Sequence, residues 1–119
     1  MKPWTMVVST DGRRVEVTFS GHLSASDGAE SAEAFRHALG AAPRDVVWDV
    51  RAMSGYDGAA RDAWGKALWP VRSAIRSLTV IGAKGLVRVG ATFLAVLLGV
   101  PYEIRDAPKP VQPSAPAAP

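Results

Sequence analysis

The stretch from Arg44 to Trp64, RDVVWDVRAMSGYDGAARDAW, constrains this chain more than any other. Val46, Val47, Trp48 and Val50 make an apolar strand that runs into a glycine-bearing turn, Ser54-Gly55-Tyr56-Asp57-Gly58. The turn opens directly into an amphipathic helix, so a helix N-terminus is presented at the end of a strand. Such a junction exposes free backbone N–H groups and a partial positive charge, which suits an anion or a partner loop. No catalytic residue set accompanies it.

Bulk properties narrow the classes. A chain of 119 residues is one domain's worth, and 48% hydrophobic residues are enough for a real core and too many for a disordered chain. The net charge of +3 comes from 14 basic and 11 acidic residues that are interspersed. No basic cluster interleaved with aromatics appears, so nucleic acid is not an expected partner. The chain has no cysteine, which removes disulfides and thiolate metal sites and fits a reducing compartment. The apolar run in MKPWTMVVSTDGRR is too short for a signal peptide, so the expected location is cytoplasmic.

Periodicity predicts the elements in turn. Trp4 to Ser9 reads as a strand, Asp11-Gly12 as a tight hairpin turn, and Arg14 to Ser20 as the answering strand, with Val15, Val17 and Phe19 facing the core. Ser24-Ala25-Ser26-Asp27 starts a helix over about Ala25 to Leu39, with Ala32, Phe35 and Leu39 inward. Gly28 shares that stripe without adding apolar area and weakens the helix slightly. Gly40 caps it and Pro43 prevents continuation. A third strand, Asp45 to Arg51, is dense enough in apolar residues to be covered on both faces.

The second helix is expected from Gly58, capped by Asp57, to about Ser73 or Arg76, with a stripe of Trp64, Leu68, Val71 and Ile75 and a kink at Pro70. Trp69 falls on its outward side. A fourth strand (Leu78 to Gly82), a third helix (Leu86 to Leu98) and a short last strand (Pro101 to Arg105) complete a domain over residues 1–105. Residues 106–119, DAPKPVQPSAPAAP, are compositionally a disordered proline- and alanine-rich tail.

The order strand–strand–helix–strand–helix–strand–helix–strand resembles the STAS domain family, the bacterial anti-sigma-factor antagonists and their relatives. The likeness covers roughly Val15 to Ile104. In antagonists the central segment typically reads Asp-Leu-Ser-Gly-Val-Ser-Phe-Ile-Asp-Ser-Ser-Gly-Leu; here Asp49 matches the first aspartate, Ser54 the serine and Asp57 the second aspartate. Gly58 and Ala59 stand where the two serines belong, and the phosphorylated one falls on Ala59, which has no hydroxyl. By the resemblance, phosphorylation switches antagonists off, and this chain lacks that acceptor. Gly55-Tyr56, Trp64 and Val80-Ile81-Gly82 resemble a divergent branch whose fold is like the lipid-transfer CRAL-TRIO domains. The implied architecture is α/β: a STAS-like mixed sheet of four or five strands with three helices mainly on one face. Richness in Ala, Arg, Gly and Pro is similar to proteins of bacteria with GC-rich genomes.

The candidate residues point to binding. His22, after the second strand, and His37, four positions beyond Glu33, have no metal spacing and read as solvated or capping side chains. Asp49 and Asp57 could form an acid–base pair, but Asp57 reads better as a helix cap. Neither catalysis nor a cofactor is implied. Ser54, Tyr56, Asp57, Gly58, Ala59 and Arg61 form one candidate partner- or anion-binding set; Lys84, Gly85 and Arg88 join it if the second and third helices start side by side.

The third helix is apolar nearly all round, with Arg88 its only charge. Val89, Phe93, Val96 and Val100 form the expected core stripe. Leu86, Leu94 and Leu98 form a second stripe, which leaves three readings: ordinary packing under the last strand, a self-association face of Leu94, Leu98 and Trp69, or insertion into a membrane surface or lipid. Thirteen residues are too few to span a bilayer, which takes about 20. The expected function is a non-enzymatic protein-interaction, scaffold or regulatory adaptor module that works as a homodimer; the alternative is a small-ligand or lipid carrier, with a membrane-surface role ranked lower.

Overall fold

A computed structural model describes residues 2–40 and 42–106. Five strands form one mixed sheet in the order of the chain: β1 (Trp4–Val8), β2 (Arg14–Leu23), β3 (Arg44–Tyr56), β4 (Ile75–Ile81) and β5 (Tyr102–Arg105). β1 runs antiparallel to β2, and β2 to β5 are mutually parallel. The Asp11-Gly12 hairpin forms as expected, with Gly12 at φ +72° and its N–H donating to Ser9 O.

Helices α1 (Ala25–Leu39), α2 (Gly58–Leu68) and α3 (Gly85–Leu98) connect the parallel strands in succession. Each joins neighbouring strands, and right-handed crossovers in one direction across a sheet put every helix on the same face. α1 packs on α2 and α2 on α3. The core lies between this layer and the side chains of Val15, Val17 and Phe19 of β2, Val46, Trp48 and Val50 of β3, and Leu78 and Val80 of β4.

β3 therefore differs from the expected strand covered on both faces. Its second face carries no helix among the described residues. Val47 and Asp49 are buried there because β3 is the central strand, with Glu16 and Thr79 beside Val47 and the Arg51 guanidinium on the Asp49 carboxylate. Ion pairs line this open face: Asp49–Arg51, Glu103–Arg105 and Arg14–Glu16, with Asp45 joined to Arg76 and Ser77 at its edge.

Local chemistry accounts for the helix ends. Ser24 Oγ accepts from the Asp27 N–H and donates to the Asp27 carboxylate, closing the start of α1. Gly40 ends the helix in a conformation with φ +66°. Gly28 is more than a weak helix residue: a Cβ there would lie 2.4 Å from Ala60 Cβ and 2.5 Å from Ala60 Cα. Its missing side chain lets α1 and α2 cross at close quarters. Beside the crossing, Trp64 Nε1 donates to Ser31 Oγ at 3.1 Å, and the Ser31 hydroxyl in turn donates to Gly28 O. Four aromatic rings, Phe19, Phe35, Trp48 and Trp64, pack edge-to-face or tilted in the core beneath.

The second helix is shorter than the periodicity predicts. α2 stops at Leu68, and Trp69–Ala74 forms a 3₁₀ turn with Pro70 in its first residues and a non-helical Val71. Proline cannot supply the N–H that would continue the ladder, so the helix ends here where only a kink is expected. Ile75, expected on the helical stripe, begins β4 instead. The expected tail, 106–119, lies outside the described residues beyond Asp106.

Candidate functional site

The parallel strands β2, β3 and β4 each deliver the chain to a helix, so the N-termini of α1, α2 and α3 emerge along one edge of the sheet. The expected turn at Ser54-Gly55-Tyr56-Asp57-Gly58 is mostly strand. β3 continues through Tyr56, pairing Met53 with Gly21, Gly55 with His22 and Tyr56 with Leu23. This is possible because β2 itself continues to Leu23, past the expected end at Ser20, through two register shifts and Gly21 at φ +66°. His22 accordingly sits in β2 and not beyond it.

Asp57 does not cap its own helix through its side chain. Its carboxylate accepts from the Ala25 N–H at the start of α1 (3.1 Å) and pairs with His22 Nε2 (2.8 Å). These bonds, the His22 contact foremost, hold the Asp57 carboxyl below the usual carboxylate range. One side chain thus ties together the end of β2, the tip of α1 and the tip of α2. Asp57, Gly58 and Ala59 are all exposed at this rim, as is Ser54. Asp49 makes no pair with Asp57: its carboxyl is bound to Arg51, which lowers its pKa. No group of three or more His, Cys, Asp or Glu side chains poised for a metal occurs among the described residues.

The remaining candidates turn elsewhere. The Tyr56 hydroxyl donates to Leu86 O at 3.2 Å and lies against Gly90, where a Cβ would come within 2.5 Å of the oxygen. Arg61 places its guanidinium 4.8 Å from the centre of the Phe93 ring. Arg88 lines a groove on α3 together with Val89, Thr92 and Phe93. Lys84 precedes α3 without a side-chain capping bond, and Gly85 follows it, both exposed. Arg61 thus lies against an aromatic ring, and Arg88 lines the groove on the outer face of α3 that Phe93 also lines.

The third helix overturns the expected phase. Leu94 and Leu98, candidates for a self-association face, are 7% and 4% exposed and belong instead to the core with Val87, Ala91 and Ala95. Leu86 (76%), Val89 (59%), Phe93 (48%) and Val96 (63%) are the exposed stripe. The small residues explain the choice. Gly90, Ala91 and Ala95 give α3 a low surface that approaches Tyr56 and the sheet closely, whereas the Phe93 side would hold it away. Trp69 is outward as expected, with Arg72 stacked 3.8 Å from its ring centre. It shares a groove with Phe93, Leu97 and Gly65, whose walls also carry Arg61, Asp62 and Lys66. Beneath α3 lies an apolar cavity of about 60 Å³, walled by Phe19, Trp48, Tyr56, Trp64, Val87 and Leu94 among others.

No family model and no curated protein sequence matches this chain. Solved structures do. The crystal structure of an uncharacterised DUF3478-family protein with a SpoIIAA-like fold, from Shewanella loihica PV-4, is similar with a TM-score of 0.68 at 14% identity, over 87% of this chain and 86% of that one. The fold is STAS-like. The anti-sigma factor antagonist SpoIIAA in its unphosphorylated form is also similar, with a TM-score of 0.55 at 11% identity over 84% of this chain and 86% of that one. The five-strand mixed sheet and three-helix layer of this STAS-like chain are the shared architecture.

Proposed function

We propose that this domain is a non-catalytic protein-interaction module of scaffold or regulatory type, and that the outer face of α3 with Trp69 is its docking surface. The observation that carries the reading is the row of exposed apolar side chains Leu86, Val89, Phe93, Val96 and Leu97 on α3, with Trp69 across the groove from Phe93 and Leu97. Leaving so much apolar area in water is costly, and such patches on folded domains mark binding surfaces. Phe93 and Trp69 are the large aromatic anchors typical of interface centres. The likeness to SpoIIAA, named as an anti-sigma factor antagonist, favours a regulatory setting. Control does not pass through phosphorylation at residue 59, because Ala59 carries no hydroxyl. The exposed rim at Asp57, Gly58 and Ala59 is a second contact point for the same partner.

The test is affinity purification from the native cell with the full chain, its Phe93→Glu variant and an Ala59→Glu variant. The reading expects proteins recovered by the wild type to be lost with Phe93→Glu while the variant stays folded. Recovery of the same proteins by the folded Phe93→Glu variant would overturn it.

The cavity beneath α3 favours a second reading, as a carrier of a small apolar molecule. At about 60 Å³ it is well below the roughly 150 Å³ that accommodates benzene, so a lipid does not fit in this conformation. Native mass spectrometry that finds a small bound hydrophobe would support this reading; a clean apo mass would remove it.

A further inference from the structure

We infer that the occupant of the α3 face is a second copy of this chain, paired through antiparallel α3 helices across a twofold axis. The inference rests on the reading of this face as a docking surface and names its partner. Three observations carry it.

The first is spacing. The exposed residues Leu86, Val89, Phe93 and Val96 recur at three, four and three, the seam along which one helix packs its side chains between those of another. The core-facing residues of the same helix follow a separate stripe, Val87, Ala91, Leu94, Ala95 and Leu98. α3 therefore carries two packing faces, and the domain uses one of them.

The second is area. The exposed parts of these four residues with Leu97 and Trp69 amount to roughly 600 Å², approaching the roughly 800 Å² that each partner contributes to a standard stable interface. A twofold axis presents the same patch from both sides, so one surface supplies the whole of an isologous interface.

The third is charge. The patch is bordered by Arg61, Lys66, Arg72 and Arg88, with Asp62 the acidic neighbour and already paired with Arg61. Parallel α3 helices would set Arg88 against its own copy. Antiparallel helices separate the two guanidinium groups to opposite ends of the seam and leave the apolar residues in the middle. The basic border then makes salt a diagnostic: apolar self-association between like-charged rims holds or tightens as salt rises, whereas attachment to an acidic surface weakens.

The experiment is sedimentation equilibrium of the full chain over a wide concentration range, at low and high salt, for the wild type and for Phe93→Glu and Val96→Lys. Both substitutions are at exposed positions, and circular dichroism checks that each variant is folded. The expected result is a dimer that persists at high salt and that either substitution weakens roughly 100-fold, because each change removes two contacts at the centre of a twofold interface. A monomer at every concentration overturns the inference, as does a dimer indifferent to both substitutions or one dissolved by salt. A monomer that instead floats with vesicles of anionic phospholipid assigns the face to a membrane surface and equally overturns it. If the wild type is monomeric yet Phe93→Glu still loses its cellular partners, the docking surface stands and only the second copy is wrong; if neither changes, both fail.

Discussion

Replacing Gly28 with alanine separates two arguments that point in opposite directions. By helix propensity alone, Gly28→Ala in the first turn of α1 should stabilise the domain by up to about 1 kcal/mol. Packing says otherwise. The new methyl would sit 2.4 Å from Ala60 Cβ and 2.5 Å from Ala60 Cα, where carbon atoms need about 3.5–4.0 Å. Ala60 Cα is backbone and is fully buried, so neither atom can swing aside. The helices must part by about 1 Å or more, which also stretches the 3.1 Å bond from Trp64 Nε1 to Ser31 Oγ. Overpacking of this kind costs about 1–3 kcal/mol, and with backbone as the obstacle the upper part of that range applies. Net destabilisation of roughly 1–2 kcal/mol is expected, read as a lower urea midpoint at unchanged slope. Adding Ala60→Gly should recover part of the loss, since it removes the nearer contact and leaves the 2.5 Å one. A Gly28→Ala variant as stable as the wild type would refute the close crossing of α1 and α2.

Four further substitutions probe other parts of the fold. Ser31→Ala leaves the buried Trp64 N–H without its acceptor and should cost about 1–3 kcal/mol, with a change in near-ultraviolet circular dichroism from the aromatic cluster. Leu94→Ala should cost about 2–5 kcal/mol because Leu94 is a core residue of α3, whereas Phe93→Ser, at a half-exposed position whose main contact is Arg61, should cost about 1 kcal/mol or less. Asp45 is held at a pKa of about 2 by hydrogen bonds from Arg76 and then Ser77. A carboxyl depressed in the folded state adds stability above its unfolded pKa near 3.8, and that stability is lost as pH falls from there towards 2. Asp45→Asn should therefore flatten the stability profile in that window, as followed by urea unfolding at stepped pH; a profile as steep as the wild type's would contradict the assignment.

What the residues made legible were features whose causes are local. The alternation in Val15, Val17 and Phe19, the Asp11-Gly12 turn and the Ser24 cap each arise within a few neighbouring positions, and each stands in the structure; at Pro70 a disruption was legible, but as a kink and not as the end of α2. Features set by distant partners were not readable in this way. Ser54-Gly55-Tyr56 looks like a turn, yet it is strand because β2 extends to Leu23 and pairs with it. Asp57 looks like the cap of α2, but its carboxylate serves Ala25 and His22, more than thirty positions earlier. The α3 stripe was misphased because a helix apolar on all sides has no polar face to orient it. Its one usable signal, the small residues Gly90, Ala91 and Ala95, matters only once Tyr56 is known to lie opposite.

The most direct test of the account is a dilution series followed by heteronuclear NMR on the full chain, which reads the association surface residue by residue. Signals of Leu86, Val89, Phe93, Val96 and Leu97, together with the Trp69 indole, should shift with concentration while those of the ion-paired sheet face around Glu103 and Arg105 stay fixed. Concentration-dependent shifts confined to that sheet face, or none anywhere, would contradict it.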